Sequence, residues 1–216
     1  REAMYRGSDG GYLLTDRAFA GADTLATSYA ISTAIKHVCP DADLIIGGRQ
    51  AIDGDTAQVG PQVAEKLGMN QITYTEEILS CKDGKIVVKR HIDGGVETVE
   101  TALPVVLTVN GSAAPCRPRN AKLVMKYKRA LAPMELAPGT TYAELPYADQ
   151  YEKKPCLKLG QLTCADVHAD LNQCGLAGSP TKVKNVENIV FKAKESKVLT
   201  GADEEINGLI QELLAN

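Results

Sequence analysis

Short apolar runs alternate with helical patterns over the first part of the chain. Residues 12–14 and 43–48 are apolar runs bounded by glycines and acidic residues, which is typical of buried parallel strands. Residues 22–37 carry apolar side chains at helical spacing, and a second helix is predicted for residues 62–67, ending at Gly68. The order strand, helix, strand, helix predicts a Rossmann-like parallel sheet with helices on both faces.

The pattern then changes to three stretches rich in β-forming residues, at 71–80, 85–92 and 96–103. Each of the two gaps between them contains an Asp-Gly pair, which favours a tight antiparallel hairpin. The apolar run at 105–109 is suited to return to the core of the sheet. The fold class predicted is therefore α/β, with a parallel sheet that carries an antiparallel hairpin portion.

The second half of the chain has weaker periodicity. A short basic helix is predicted for residues 121–129, and residues 131–160 contain four prolines and little periodic pattern, which indicates an extended arm. Residues 203–214 form an amphipathic helical pattern. We therefore expect an α/β domain over residues 1–130, followed by an arm and a C-terminal helix over residues 131–216.

Composition excludes several classes of function. The 216 residues are 44% hydrophobic and 24% charged with a net charge of −3, which argues against nonspecific nucleic-acid binding. Six cysteines occur without any C-x-x-C pair, so zinc and iron–sulfur spacings are absent, and we expect reduced thiols and no metal. No apolar run approaches the roughly 20 residues that span a bilayer, which predicts no membrane insertion.

The densest signal is the segment GGRQAIDGDTAQVGP at residues 47–61, which follows a predicted strand and opens a predicted helix. Small residues there let the backbone approach a phosphate, and the N–H groups at a helix start point towards it. Thr56 and Gln58 can add hydrogen bonds, whereas Asp53 and Asp55 could cap the turn or bind ribose hydroxyls. The segment matches neither G-x-G-x-x-G nor the Walker pattern. Nucleotide binding and a capped loop without a ligand both remain open on this pattern.

Four segments, in order, resemble one family. GRQAIDGDTAQVGP at 48–61 resembles the β-subunit signature of electron transfer flavoproteins. DRAFAGADTLATSYA at 16–30, LVMKYKRA at 123–130 and GSPTKV at 178–183 resemble further segments of the same subunit. The resemblance implies a heterodimer whose α subunit holds an FAD and whose β subunit binds a second nucleotide. The family's N-terminal strand and helix have no counterpart here, so we expect the nucleotide domain to be N-terminally incomplete.

The resemblance leaves the identity of the second nucleotide open. In the mitochondrial type it is AMP with a structural role. In the bifurcating type it is a second FAD, which accepts electrons from NADH and passes one towards ferredoxin and one towards the α-subunit FAD. The version DGDTAQVG, with Gly54, Thr56 and Ala57, resembles the bifurcating type, which favours FAD over AMP. Redox activity would then require the bound flavin and the α subunit, with no catalytic side chain. A universal-stress-type nucleotide-binding regulatory protein is a third reading, which the loop and the basic segment disfavour.

The resemblance also implies which residues contact the nucleotide. They are expected at the two helix starts and in the loop between 47 and 60. The predicted cofactor-binding residues are Gly47, Arg49, Gln50, Asp53, Gly54, Asp55, Thr56, Ala57, Gln58, Val59, Gly60, Asp16, Asp23 and Thr24. Asp23 or Thr24 is also a predicted N-cap for the helix at 22–37.

A basic segment at residues 117–129 contains no acidic residue. It could be a solvated helix face, but in the family the corresponding segment docks on acyl-CoA dehydrogenase-type flavoenzymes. The predicted docking residues are Arg117, Arg119, Ala121, Lys122, Leu123, Met125, Lys126 and Lys128. We further expect the arm at 131–160 to wrap the α subunit, and a bacterial cytoplasmic location with the mitochondrial matrix as the alternative.

Overall fold

The computed structural model describes residues 1–184, 196 and 198–214, in two units. The first unit is Arg1–Lys182 and contains both sheets and the candidate site. The second unit is Val183–Asn216 and contains one amphipathic helix with Asp203, Glu204 and Glu205 in its first turn. Acidic residues at that position complement the positive end of the helix dipole.

Seven strands and six α-helices lie within the described residues. The strands are β1 (Tyr12–Leu14), β2 (Leu44–Gly48), β3 (Asn70–Lys82), β4 (Lys85–Ile92), β5 (Gly95–Ala102), β6 (Val105–Val109) and β7 (Gly160–Leu162). The helices are α1 (Glu2–Tyr5), α2 (Thr24–Val38), α3 (Val59–Leu67), α4 (Ala121–Tyr127), α5 (Ala148–Lys153) and α6 (Asp203–Leu214).

The main sheet has the strand order β2-β6-β3-β4-β5. β6 is parallel to both of its neighbours, β2 and β3, whereas β3, β4 and β5 form antiparallel pairs. The β3–β4 hairpin turns at Asp83 and Gly84, which both have positive φ, as the tight turn requires. Ile86, Val105 and Leu107 are fully buried at the centre of this sheet. The α/β class with a parallel portion and antiparallel hairpins is therefore confirmed.

β1 lies outside the main sheet. It pairs in parallel with β7, with Tyr12 opposite Gly160 and Leu14 opposite Leu162. The ring of Tyr12 covers Gly160 so closely that a Cβ there would collide with it. β7 was not predicted, because three residues give no periodic signal of their own.

The segment at 131–160 packs on a second core cluster. Tyr151 and Leu157 from this segment are buried together with Met4 of α1 and Tyr127 of α4. The Tyr142 ring lies 5.2 Å from the Tyr151 ring. This part of the predicted arm thus contributes to the first unit, and its contact with an α subunit stays a prediction. The parts of the arm at 185–195, 197 and 215–216 lie outside the described residues.

Most predicted element bounds agree with the structure within a few residues. α3 begins at Val59, three residues earlier than predicted. Pro61 is tolerated in its first turn, because the N–H that a proline lacks would have no partner within the helix there. α4 ends at Tyr127, two residues earlier than predicted, and α6 has the predicted bounds. No helix in the described part of the chain has the length and apolar character needed to cross a membrane.

Candidate functional site

The glycine-rich loop leaves the sheet at the carboxyl ends of two parallel strands. Gly48, the last residue of β2, is paired with Val109, the last residue of β6. The backbone N–H of Arg49 donates to the carbonyl of Val109 at 3.1 Å, so the loop starts at the common end of both strands. Open α/β sheets bind ligands in the crevice outside this edge.

The backbone of the loop contains two unusual conformations. Asp55 has a φ of 50° and Ala57 a φ of 55°, and both flank Thr56. Left-handed conformations of this kind cost free energy in residues other than glycine, and they turn successive N–H groups into an anion-binding concavity. The Asp55 N–H donates to the carbonyl of Ala51 at 3.1 Å, which closes the preceding turn.

The predicted residues from 47 to 60 lie along this one segment. Gly47 is the penultimate residue of β2, and Val59 and Gly60 lie in the first turn of α3. The residues between them are largely exposed to solvent: Arg49, Ala51, Ile52, Asp53, Gly54, Asp55, Thr56 and Gln58.

α3 starts without a side-chain cap. Gln58 precedes it and makes no capping hydrogen bond, so side chains leave the first N–H groups of the helix free. Gly60 in the first turn packs against Thr108 of β6, where an added Cβ would collide with the Thr108 methyl group. The helix start is thereby held against the carboxyl end of β6, which directs its positive end to the same crevice.

Thr24 joins the start of α2 to the start of α3. Its hydroxyl donates to Gln58 Oε1 at 3.0 Å and accepts from Gln62 Nε2 at 3.4 Å. Two helix N-termini therefore meet at Thr24 and Gln58, two residues that the sequence predicted for the site. We call the start of α2, the start of α3 and residues 55–58 the helix-start cradle. The free N–H groups and the dipole at the uncapped start of α3 make it suited to bind a phosphate.

Asp23 belongs to the framework of the cradle. Its Oδ1 accepts from the N–H groups of Leu25 and Ala26, which caps α2 as predicted. Its Oδ2 accepts from the N–H of Thr181 at 3.1 Å and from the Thr181 hydroxyl at 2.6 Å, while the Asp23 N–H donates to Ser179 Oγ at 2.8 Å. Burial opposes ionisation, but the hydrogen bonds outweigh it and hold the pKa of Asp23 at about 2. Both oxygens are thus engaged by the chain itself.

Asp16 has a similar framework role. Its carboxylate accepts from the N–H of Ala18 and from the N–H of Cys164, and these bonds lower its pKa. Cys164 is buried, and its Sγ lies 4.0 Å from Cys174 Sγ. Burial, together with the neighbouring Cys174, raises the pKa of Cys164 to about 12, so this thiol stays protonated.

The sequence did not predict that one distant segment would hold this framework. Residues 164–181 also bind the turn before α2 and α2 itself: Leu176 N–H donates to the Ala20 carbonyl, and Asp170 N–H donates to the Tyr29 hydroxyl at 2.8 Å. The motif GSPT was noted within this segment, but its partner lies more than 150 residues away. Pairing at that separation leaves no local pattern.

The basic segment packs against α1 and the residue that follows it. Arg119 pairs with Glu2 at 2.7 Å, and Arg117 donates to the Arg6 carbonyl. Leu123 packs inward on the second core cluster, whereas Met125 is 64% exposed. The predicted residues that remain exposed without an ion pair, within the part of the chain that the structure describes, are Arg117, Ala121, Lys122, Met125, Lys126 and Lys128.

The family model and the similar proteins point to one family. A model of the electron transfer flavoprotein domain matches residues 1–132. The chain is 40% identical over 183 residues to the electron transfer flavoprotein subunit beta of Thermoanaerobacterium thermosaccharolyticum, covering 85% of this chain and 59% of that protein. It is 33% identical over 222 residues to protein FixA of Bradyrhizobium diazoefficiens, covering all of this chain and 68% of that protein.

A third relative carries the name of a larger assembly. The caffeyl-CoA reductase-Etf complex subunit CarD of Acetobacterium woodii is 51% identical over 108 residues, which is 50% of this chain and 40% of that protein. The chain spans about three fifths of the length of the first of these relatives and about two thirds of the second.

Proposed function

The chain belongs to the electron transfer flavoprotein family, and from that premise we propose that it is a β subunit that pairs with an α subunit and binds FAD as its second nucleotide. The meeting of two helix starts at Thr24 and Gln58, beside a loop with left-handed residues, is the observation that supports this most. An uncapped helix start and turned-out N–H groups are the donors that a nucleotide phosphate requires.

The residues of the cradle fit the phosphate end of such a nucleotide. Thr56 and the N–H groups at the start of α3 would hold the phosphate, and Gly60 lets that helix start approach β6. The bound flavin would supply hydride and single-electron chemistry. We propose that this chemistry draws electrons from NADH and divides them between ferredoxin and the FAD of the α subunit. The loop version DGDTAQVG, which resembles that of the bifurcating type, favours this choice.

AMP remains the second candidate for the cradle. The helix-start cradle offers one concavity and so suits one phosphate group, which AMP carries. A chain that binds AMP would be a structural and docking subunit. The two candidates differ in the second phosphate and the flavin ring, which makes them separable by direct analysis of the bound nucleotide.

The test of the cradle is the variant Thr24→Val, made in the complex with the α subunit. It keeps the shape of the side chain but removes the hydroxyl that joins α2 to Gln58. We expect the second nucleotide to dissociate about tenfold more readily, as for the loss of one hydrogen bond in a ligand site. Thr33→Val is the matched control, because its hydroxyl bonds only to the Tyr29 carbonyl within α2. Equal nucleotide retention in both variants would refute the assignment of the cradle.

We also propose that the exposed part of the basic segment docks acyl-CoA dehydrogenase-type flavoenzymes. Met125 supplies an exposed apolar side chain between the cationic Lys122 and Lys126. An apolar contact within a charged rim is suited to a weak and fast complex. The double variant Lys122→Gln/Lys126→Gln should slow electron delivery at low salt several-fold and flatten its salt dependence. Lys82→Gln, at an exposed lysine at the end of β3, should change neither property.

A further inference from the structure

The carboxyl edge of the sheet also carries a cationic side chain, Arg49, where the loop begins. Within β3 the register with β6 shifts between Ile72 and Thr75, so that two residues of β3 lie opposite one residue of β6. Tyr74 lies in this bulge with a φ of 57°, which is rare for an aromatic residue and carries a free-energy cost. Bulges of this kind redirect a side chain, and they are frequent beside binding sites.

The bulge places the Tyr74 ring under the guanidinium of Arg49. The Arg49 guanidinium carbon lies 5.8 Å from the centre of the ring. Arg49 follows β2 and Tyr74 belongs to β3, and these two strands flank β6. The Arg49 side chain therefore reaches across the end of β6, along the edge where the loop begins.

Among the described residues, none compensates the charge of Arg49. Arg49 is exposed, and no carboxylate pairs with its guanidinium in the part of the chain that the structure describes. A cation–π contact holds a guanidinium in place while its N–H groups remain available. Arginine forms two parallel hydrogen bonds to a phosphate group, which makes it the side chain best matched to an additional phosphate.

Resting on the proposed nucleotide site, we infer that Arg49 binds the second phosphate of a diphosphate-bearing nucleotide and that Tyr74 is the residue that positions it. The helix-start cradle receives one phosphate, and Arg49 receives the next one at the opening of the same loop. Arg49, held by Tyr74, would distinguish a dinucleotide such as FAD, which has two phosphates, from AMP, which has one. Asp53 and Asp55 in the loop disfavour additional anionic charge, so a nearby cation is needed to admit it.

The experiment compares ADP with AMP as probes of the nucleotide-free complex by titration calorimetry. In the unmodified protein ADP should bind about tenfold more tightly than AMP. Arg49→Gln should weaken ADP binding about tenfold and leave AMP binding unchanged, as expected for one charge-assisted contact. Tyr74→Leu should weaken ADP binding several-fold. Tyr74→Phe keeps the aromatic ring and should therefore keep the wild-type preference for ADP over AMP.

Lys82→Gln controls for the loss of one positive charge, because Lys82 is exposed at the distal end of the same strand. A melting temperature for each variant separates binding effects from loss of structure. Equal losses of ADP and AMP binding in Arg49→Gln, or no loss of either, would overturn the inference while the nucleotide site stands. Failure of both nucleotides to bind the unmodified complex would overturn the proposed function and the inference together.

Discussion

The bond between Asp23 and Thr181 gives the sharpest prediction about the framework of the site. Replacing Thr181 with valine removes the hydroxyl that donates to Asp23 Oδ2 at 2.6 Å. A hydrogen bond to a charged group contributes about 1.5–3 kcal/mol to stability, and solvent exposure reduces this to about 1 kcal/mol. The lowered pKa of Asp23, about 2 in place of the ordinary 3.8, gives a second figure of about 2 kcal/mol for the balance between all donors to Asp23 and the opposing burial. Solvent exposure reduces this figure in the same way.

A double-mutant cycle isolates this interaction. We expect Thr181→Val to lower the free energy of unfolding by about 1 kcal/mol, and Asp23→Ala by about 2 kcal/mol because it also removes the N-cap of α2. The double variant should lose about 2 kcal/mol, which leaves a coupling of about 1 kcal/mol. Urea unfolding followed by circular dichroism measures all four proteins. A coupling near zero at pH 7 would refute the account of this bond.

The same cycle has a defined pH dependence. The pKa of Asp23 is lower in the folded chain than in the unfolded chain, so the unfolded chain binds more protons between about pH 2 and pH 4. The stabilisation by Asp23 is therefore fully present above pH 4 and is lost as the pH falls towards 2. The coupling should be constant from pH 5 to pH 7 and decrease steadily below pH 4. A coupling that persisted unchanged at pH 2 would contradict a hydrogen bond that depends on the ionised Asp23 carboxylate.

Two further predictions concern packing. Gly60→Ala should lower stability by about 1–3 kcal/mol and weaken nucleotide binding, because the new methyl group collides with Thr108; Gly54→Ala, with open space around it, should change stability by less than about 0.5 kcal/mol in a urea titration. In a thiol titration of the folded protein with an aromatic disulfide reagent, four of the six cysteines should react promptly, and Cys164 and Cys174 should react only after unfolding. Prompt reaction of all six would contradict their burial.

The sheet could be predicted well where local pattern determines it. Alternation and an Asp-Gly turn determine β3 and β4, and the apolar run before the loop determines β2. β7 could not be predicted, since Gly160–Leu162 becomes a strand only through pairing with β1. The segment at 131–160 showed little periodic pattern, and the residues with which it packs, among them Tyr142, Tyr151 and Leu157, follow no helical or strand period.

The candidate site was also predicted only where local pattern determines it. Thr24 was expected there at the start of a predicted helix and Gln58 as a residue of the loop, and the structure brings them within hydrogen-bond distance. The roles of Asp23 and Asp16 depend on residues 164–181, whose approach is a tertiary event without local pattern. Tyr74 was not predicted, because a bulge in a strand leaves the alternation of side chains almost intact.

The central claim is that this subunit holds FAD as a second nucleotide, and direct counting tests it. The complex with the α subunit is purified, its nucleotides are released with acid, and FAD and AMP are quantified by chromatography against protein concentration. The account predicts two FAD and no AMP per heterodimer. One FAD and one AMP would contradict it and leave a structural and docking subunit, and one FAD without a second nucleotide would refute the nucleotide site at the loop.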